Sequence, residues 1–475
     1  MTLINKYPHF QTIQQLAKKK KVDVFLVGGF VRDCLLNRPK LDFDFAVERG
    51  ALKFAGAFAR EIKGAFIVLD EERGCARVAK KTKEGMATFD FADFRAKTFK
   101  ADLSLRDFTV NTLAVDMSSL NGAENIEEVL LDFKQGLKDL KARRIKLISA
   151  RAFKDDPLRM LRAFSIKAAL GFTIDKNVLS QIKKDKGLIR GVSYERIREE
   201  LFKILESGDA AGTMKAMDQI GLLKEIIPQI TVMYNCHQGG YHHLDVWPHS
   251  LETVKQLENV YKELENDGDV RQYINVKLAG EHTRKALIKL AALLHDIGKP
   301  ETRKKEENGR ISFHGHEHVG KNIARHIAKM LKISTKERYA LEDMIRWHLR
   351  PGYLADFKNP SERAVFRFFR DAKEETASIL ILSMADQRST CGPMTTKEDT
   401  EHHVKICRAI LRKYFDKLKE KPFVRLVNGN DVMKYLKLPP SPLVGKILRE
   451  IEEKQVLGKI QTKKDALELA KKIVK

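Results

Sequence analysis

The chain has 475 residues, 43% hydrophobic and 32% charged, too long for one ordinary core and composed like a soluble, helix-rich protein of two to four domains. No run of about 18 apolar residues occurs, which excludes a membrane-spanning helix. The net charge of +24, from 88 Lys+Arg against 64 Asp+Glu, is dispersed along the chain and points to a polyanionic partner lying along a surface, nucleic acid first. Cys34, Cys75, Cys236, Cys391 and Cys407 lack CxxC spacing, and MTLINKYPHF has no signal-peptide pattern, so a cytoplasmic protein with reduced thiols is expected.

The first 140 residues mix strands and helices. Strands are expected at Val24–Val27, Phe43–Val47, Phe66–Leu69, Ala76–Ala79, Met86–Phe91 and Thr112–Asp116. The most informative stretch is LVGGFVRDCLLNRPKLDFDF. An apolar strand enters a Gly28-Gly29 turn, a short helix carries Arg32 and Asp33, and a second strand presents Asp42 and Asp44. Residues two apart on a strand share a face, so the two carboxylates point the same way and repel unless a cation lies between them. A hard ion such as Mg²⁺ needs only one or two protein carboxylates. The glycine turn offers backbone N–H groups for phosphate at a helix start. A phosphate cradle beside a metal-binding carboxylate pair is apparatus for phosphoryl or nucleotidyl transfer.

MATFDFADFR supplies a third carboxylate on a neighbouring strand, Asp90, flanked by Phe89 and Phe91, with Asp93 as the alternative if the register differs. In LSLRDFTVNTLAVD, Arg106, Asp107 and Asn111 are threaded through apolar residues. A cation there suits a triphosphate, and Asp107 suits a ribose hydroxyl. A surface ion pair on a helix is the other reading of this stretch.

LVGGFVRDCLL…LDFDF followed by LRDFTVN resembles the class II tRNA nucleotidyltransferase (CCA-adding enzyme) and bacterial poly(A) polymerase superfamily. LLDFKQGLKDL (Asp132, Gly136, Asp139) resembles that superfamily's head–neck hinge, DDPLRMLRAFSIKAALGF its base-reading motif and SYERIREELFKIL its neck helix. The resemblance implies an α+β chain, with a polymerase-β-like nucleotidyltransferase head of mixed sheet and helices followed by a long all-α neck, body and tail. It implies Asp42 and Asp44 as catalytic Mg²⁺ ligands, to which the strand pattern adds Asp90 as the third carboxylate expected to complete the metal site. Gly28, Gly29 and Arg32 would contact the triphosphate, and Arg106, Asp107 and Asn111 would hold phosphate and ribose. Asp156 and Arg159, with Arg162 in the same motif, would contact the incoming base. Asp156 and Arg159 are three apart and so are expected to share a helix face. A carboxylate accepts from an exocyclic amine and a guanidinium donates to ring acceptors, a pairing that suits cytosine and adenine. Leu105, Asp155 and Ser165 stand where the family often has Arg, Glu and Arg, and the last departure bears on nucleotide preference.

Beyond residue 150 the chain reads helical, with breaks at Asn235–Tyr241, Glu306–Arg310, Arg350–Tyr353 and Lys437–Leu443. His295-Asp296 ends an apolar helix and can ligate one ion, with His249 and Asp386 completing the set. This segment resembles an HD-superfamily phosphohydrolase domain. His316, His318 and His348 are candidates for a second ion, while His314 and His316 alternatively belong to a solvated loop. The expected domains are head 1–140, neck 141–235, HD domain 236–395 and helical tail 396–475, whose basic helices suit a tRNA backbone. The resemblance implies addition of C and/or A of the 3′-terminal CCA to tRNA from CTP and ATP, with a divalent metal possible in the HD domain. The alternatives are a poly(A) polymerase, a CC-only or A-only enzyme, and an HD-domain phosphohydrolase acting at RNA ends.

Overall fold

The computed structural model describes residues 3–420 and 423–474. The chain forms two compact units, Met1–Ile204 with Ala216–Ile226, and Leu205–Lys215 with Ile227–Lys475.

The first unit is built on a seven-stranded sheet: β1 (Val24–Val27), β2 (Asp42–Val47), β3 (Ala65–Asp70), β4 (Cys75–Thr82), β5 (Gly85–Asp93), β6 (Ala114–Asp116) and β7 (Leu130–Leu131). Their order is β3-β4-β5-β2-β1-β6-β7, and β2–β5 is the parallel pair. The alternation of Asp and Phe explains the central pair. Asp42 lies beside Thr88 and Asp44 beside Asp90, while Phe43 lies beside Phe89 and Phe45 beside Phe91. The Phe43–Phe89 and Phe45–Phe91 rings stack at 4.9 Å, and Phe58 and Phe54 of helix Ala51–Ile62 close over Phe89 and Phe91 at 5.1 and 5.4 Å. Burying each of these rings contributes about 1.5–3 kcal/mol. The aromatic face thereby fixes the register that lines up the carboxylates on the opposite face, because a one-residue slip would exchange the two faces.

β6 starts at Ala114, two residues later than its sequence pattern suggests, because Thr109–Asn111 forms a 3₁₀ turn. Helices Gly136–Lys141, Ala152–Asp155, Leu158–Leu170, Lys176–Asp185 and Tyr194–Glu206 follow. Asp132 accepts from the backbone N–H of Gly136 (2.8 Å) and Leu137 (3.0 Å), and buried Asp139 accepts from the Thr109 hydroxyl at 2.8 Å.

Among the described residues the second unit is helical apart from a small hairpin, Lys304–Lys305 with Ile311–Ser312, which accounts for the break at 306–310. Helices Val246–Glu263, Arg284–Leu294, His316–Met330, Thr335–Trp347 and Thr376–Ser389 carry the His/Asp residues or pack against them. The break expected at Arg350–Tyr353 is instead a helix, Arg350–Ala355. Pro351 sits in its first turn, where the missing N–H costs nothing. Gly429–Leu436, Pro442–Val456 and Lys463–Val474 close around their own core of Val432, Ile447, Ile451 and Ala466. Among the described residues no helix is long and apolar enough to cross a membrane.

Candidate active site and candidate metal centre

β1 ends at Val27, opposite Asp44, and the chain then turns at Gly28 with φ +76°. A Cβ on Gly28 would lie 3.1 Å from Asp44 Oδ2 and 3.7 Å from Arg106 Nη1. Only glycine takes this conformation without cost and lets backbone approach so near. Gly29 opens the helix Gly29–Leu35, whose Arg32 donates to Asp33 (2.8 Å) and to Asn111 Oδ1 (2.7 Å).

A cleft of about 430 Å³ lies over the acidic face of the sheet. Asp44, Asp90, Arg106 and Asp107 line it from the sheet side, and Asp156, Arg159 and Arg162 from the helical side. Asp42 shares the Asp44 face of β2 and accepts from the Thr88 hydroxyl. Burial, then Asp42 and Asp90, push the Asp44 carboxyl up to about 6, against the pull of Arg106 and Arg162. Negative charge is therefore undercompensated here, and the donor set fits a divalent cation. Arg106 is nearly buried. Burial holds its guanidinium below its ordinary value although Asp102 opposes this, and its Nε has no hydrogen-bond partner. A guanidinium held only loosely, 3.6 Å from Asp102, with Nη1 beside a glycine bend suits an anionic ligand.

Asp107 accepts from the Phe108 N–H (2.8 Å) and from Asn111 Nδ2 (3.0 Å), and pairs with Arg162 at 2.9 Å. Burial raises its carboxyl, but Arg162 and these hydrogen bonds outweigh it and hold the group below the usual carboxylate range.

One expectation is corrected in detail. Asp156 does not share a helix face with Arg159. Pro157 forces the preceding residue out of the α region, and Asp156 sits extended at φ −150°, ψ 100°. Its carboxylate accepts from the Leu158 N–H (3.2 Å) and from Arg196 (2.9 Å), whereas Arg159 donates to the Leu105 carbonyl at 2.7 Å. Asp93, the alternative third carboxylate, accepts from the Ala51 N–H at 2.7 Å and caps helix Ala51–Ile62. It is Asp90 that lies in register with Asp44.

Arg77 is the main residue that sequence reasoning missed. It lies opposite Asp90 on β4 and grips both carboxylate oxygens at 2.7 Å. An arginine between Ala76 and Val78, on the strand face that meets the carboxylate of FDF, was the available signal. Ser165, where the family often has Arg, is buried and donates to Glu200.

The second unit holds two His/Asp groups, His249–His295–Asp386 and Asp296–His316–His348. Asp296 joins them. Its Oδ2 lies 3.2 Å from His295 Nε2 and 3.5 Å from His249 Nε2, and its Oδ1 lies 3.3 Å from His316 Nε2 and 3.8 Å from His348 Nε2. Asp386 Oδ1 is 3.0 Å from His249 Nε2 and 3.5 Å from His295 Nε2. His295, His316 and His348 each direct Nδ1 to a carbonyl three residues back, at 2.7–2.9 Å. That arrangement fixes the tautomer and presents Nε2 inward, as metal-ligating histidines do. His316 and His348 consequently face each other Nε2 to Nε2 at 3.2 Å with no proton between them, an arrangement a cation would satisfy. Burial, with His316 and His295 near, pushes His348 down to about 3, leaving it the neutral imidazole a metal requires. His295 Nε2 faces only the Asp296 and Asp386 carboxylates, at 3.2 and 3.5 Å, a donor set that fits a divalent metal.

His318 does not join this cluster. Two residues along a helix is about 200°, which carries it away from His316 to 60% side-chain exposure. His314 is exposed on the preceding loop. Gly298 permits the assembly, since a Cβ there would meet the His316 carbonyl at 2.2 Å. Lys299, also unanticipated, reaches Asp296 Oδ2 (2.7 Å) and Gln238 Oε1 (2.6 Å).

An acidic strand face meeting a glycine bend and partly buried arginines is the equipment of a nucleotidyltransferase. Comparison with known proteins agrees. Residues 24–146 match the Poly A polymerase head domain, 171–233 the RNA and SrmB-binding site of polymerase A, 246–391 the HD domain and 405–470 tRNA nucleotidyltransferase domain 2. The A-adding tRNA nucleotidyltransferase of Deinococcus radiodurans is 31% identical over 450 residues, 93% of each chain. The CC-adding tRNA nucleotidyltransferase of Thermus thermophilus is 30% identical over 452 residues, 94% of this chain and 92% of that one. The fold resembles that of the Thermotoga maritima CCA-adding enzyme complexed with tRNA, with a TM-score of 0.60 at 21% identity over 98% of this chain and 95% of that one. The chain belongs to the tRNA nucleotidyltransferase family.

Proposed function

We propose that the head cleft adds C and/or A of the 3′-terminal CCA to tRNA from CTP and ATP, releasing pyrophosphate. The observation that carries this is the Asp44–Asp90 row facing the Gly28 bend, with Arg106 beside it. Asp42 and Asp44 would hold a divalent ion such as magnesium, which when bound would neutralise triphosphate charge and acidify the attacking RNA hydroxyl. Arg106 and the backbone at Gly28–Gly29 seat the triphosphate, and Arg32 braces Asn111 behind them. Asp107 retains spare lone pairs beyond its three protein contacts, enough to accept from a ribose hydroxyl. Asp90, held by Arg77, takes the proton as the 3′-hydroxyl attacks the α-phosphorus and pyrophosphate leaves. Arg159, Arg162 and Asp156 line the same cleft and meet the base edge.

The parts correspond to a head at 1–140, a neck at 141–235, an HD domain at 236–395 and a tail at 396–475, working on tRNA in the cytoplasm. Of three relatives at 30–31% identity, one is named A-adding and two CC-adding, which supports a share of CCA synthesis over poly(A) polymerisation. Supplying tRNAs that end before CCA, after C and after CC, with CTP and ATP separately and together, reads out the step directly. Extension by long A tracts irrespective of tRNA end contradicts the proposal.

A second reading applies to the other unit. The two His/Asp groups sharing Asp296, beside a cavity of about 1470 Å³ that includes Lys299, Arg310 and His316, support a metal-dependent phosphohydrolase. Manganese-dependent release of phosphate from RNA ends or nucleotides, lost in His295→Ala, is its test.

A further inference from the structure

The head sheet ends in an open apolar edge. β3 closes the strand order, with β4 on one side and no strand on the other among the described residues. Its Phe66, Ile67, Val68 and Leu69 are 43, 46, 48 and 51% exposed. Successive strand residues point to opposite faces, so a run exposed throughout leaves both faces of β3 bare along with its free backbone edge. Helix Ala51–Ile62 directs its aromatic side chains at Phe89 and Phe91 of β5, two strands away. Natural sheet edges are blunted by a charge, a proline or a covering element. Between Ala65 and Leu69 there is neither charge nor proline, and the bulge between Val68 and Asp70 disturbs only the C-terminal end. The flanks identify what covers such an edge. Lys63 precedes the strand, and Asp70, Glu71 and Glu72 follow it. Asp70 is engaged by its own turn, accepting from the Arg73 N–H at 3.0 Å. Lys63, Glu71 and Glu72 are exposed and have no ion pair among the described residues. A strand basic at one end and acidic at the other complements itself when a second copy runs antiparallel. Residues directly opposite share a face, so the two-fold axis passes through a residue. An axis at Ile67 sets Ile67 against Ile67, Phe66 against Val68, Ala65 against Leu69 and Lys63 against Glu71. An unrelated strand has no reason to match both ends.

We propose that β3 pairs antiparallel with β3 of a second copy of this chain, across a two-fold axis at Ile67, and joins the two head sheets into one. The contact is independent of which nucleotide the head adds. The test is sedimentation velocity of the full chain between about 1 and 100 µM, with hydrogen exchange of the β3 amides at both concentrations. The parent passes from monomer to dimer over this range, and its β3 amides slow in step. Ile67→Lys sets two ammonium groups face to face at the axis and weakens dimerisation at least about tenfold. Lys63→Glu and Glu71→Lys each turn an attraction into a repulsion twice per dimer and weaken it about fivefold, whereas Lys63→Glu/Glu71→Lys restores the parent's affinity. All three positions are exposed, so the variants fold as the parent does by circular dichroism. A chain that stays monomeric with freely exchanging β3 amides overturns the proposal. A dimer indifferent to Ile67→Lys overturns it as well, because the contact then lies elsewhere. Silent single charge reversals, or a double reversal that fails to restore affinity, overturn the antiparallel pairing. Protection of the β3 amides by added tRNA in the monomer overturns the choice of a second copy.

Discussion

Asp44→Asn separates what the acidic row costs from what it does. The Asp44 carboxyl stands at about 6 in the fold against 3.8 ordinarily, a rise of about two pH units, because burial and the Asp42 and Asp90 carboxylates disfavour its charge. At 1.36 kcal/mol per unit the charged form costs the fold about 3 kcal/mol. The sign follows from the direction of the shift. Below about pH 4 the group is protonated in both states and the cost is absent, it grows between pH 4 and 6, and it is constant above. A neutral Asn escapes it. Urea unfolding of the full chain in EDTA, with hydrogen exchange of the β2 and β5 amides assigning the transition, therefore finds Asp44→Asn more stable than the parent at pH 8 by up to about 3 kcal/mol. Near pH 4 the two converge. Adding magnesium at pH 8 stabilises the parent and not the variant, narrowing the gap. A variant equal to or less stable than the parent at pH 8, or a pH-independent difference, refutes the undercompensated row.

Gly28→Ala places a Cβ 3.1 Å from Asp44 Oδ2 at positive φ, so it costs about 1–2 kcal/mol of stability and lowers nucleotide addition at least tenfold in steady-state kinetics. Asp93→Ala removes the cap of helix Ala51–Ile62, lowering stability by about 1 kcal/mol while kcat persists, whereas Asp90→Ala loses addition; comparing the two kinetically checks the register. His295→Ala abolishes manganese binding in the second unit, measured by elemental analysis after dialysis, and leaves nucleotide addition at the parent's rate.

The sequence was most legible where one period ruled. DFDFAV and ATFDFAD alternate charge with aromatic, so strand positions and the shared face of Asp42 and Asp44 followed directly, and the Asp44–Asp90 register agrees with that pattern. Partnerships between strands were not legible. Arg77 is one basic residue among many until β4 is laid against β5. Asp156 and Arg159 were misjudged because helical spacing was applied across Pro157, which breaks the helix that spacing assumes. His318 failed for the converse reason, since 3.6-residue geometry rather than proximity in sequence decides which histidines converge. The joining role of Asp296, with one oxygen toward each histidine pair, needs five separate segments brought together and no local pattern carries it.

The central claim is that the Asp42–Asp44 face of β2 drives nucleotide addition beside the glycine bend. Its most direct measurement is single-turnover incorporation of labelled CTP and ATP into tRNA lacking CCA, with magnesium varied, for the parent, Asp42→Ala and Asp44→Ala. The account predicts magnesium-dependent addition by the parent and a loss of at least a thousandfold, about 4 kcal/mol, in either variant with tRNA binding intact. Addition by either variant at rates near the parent's contradicts it.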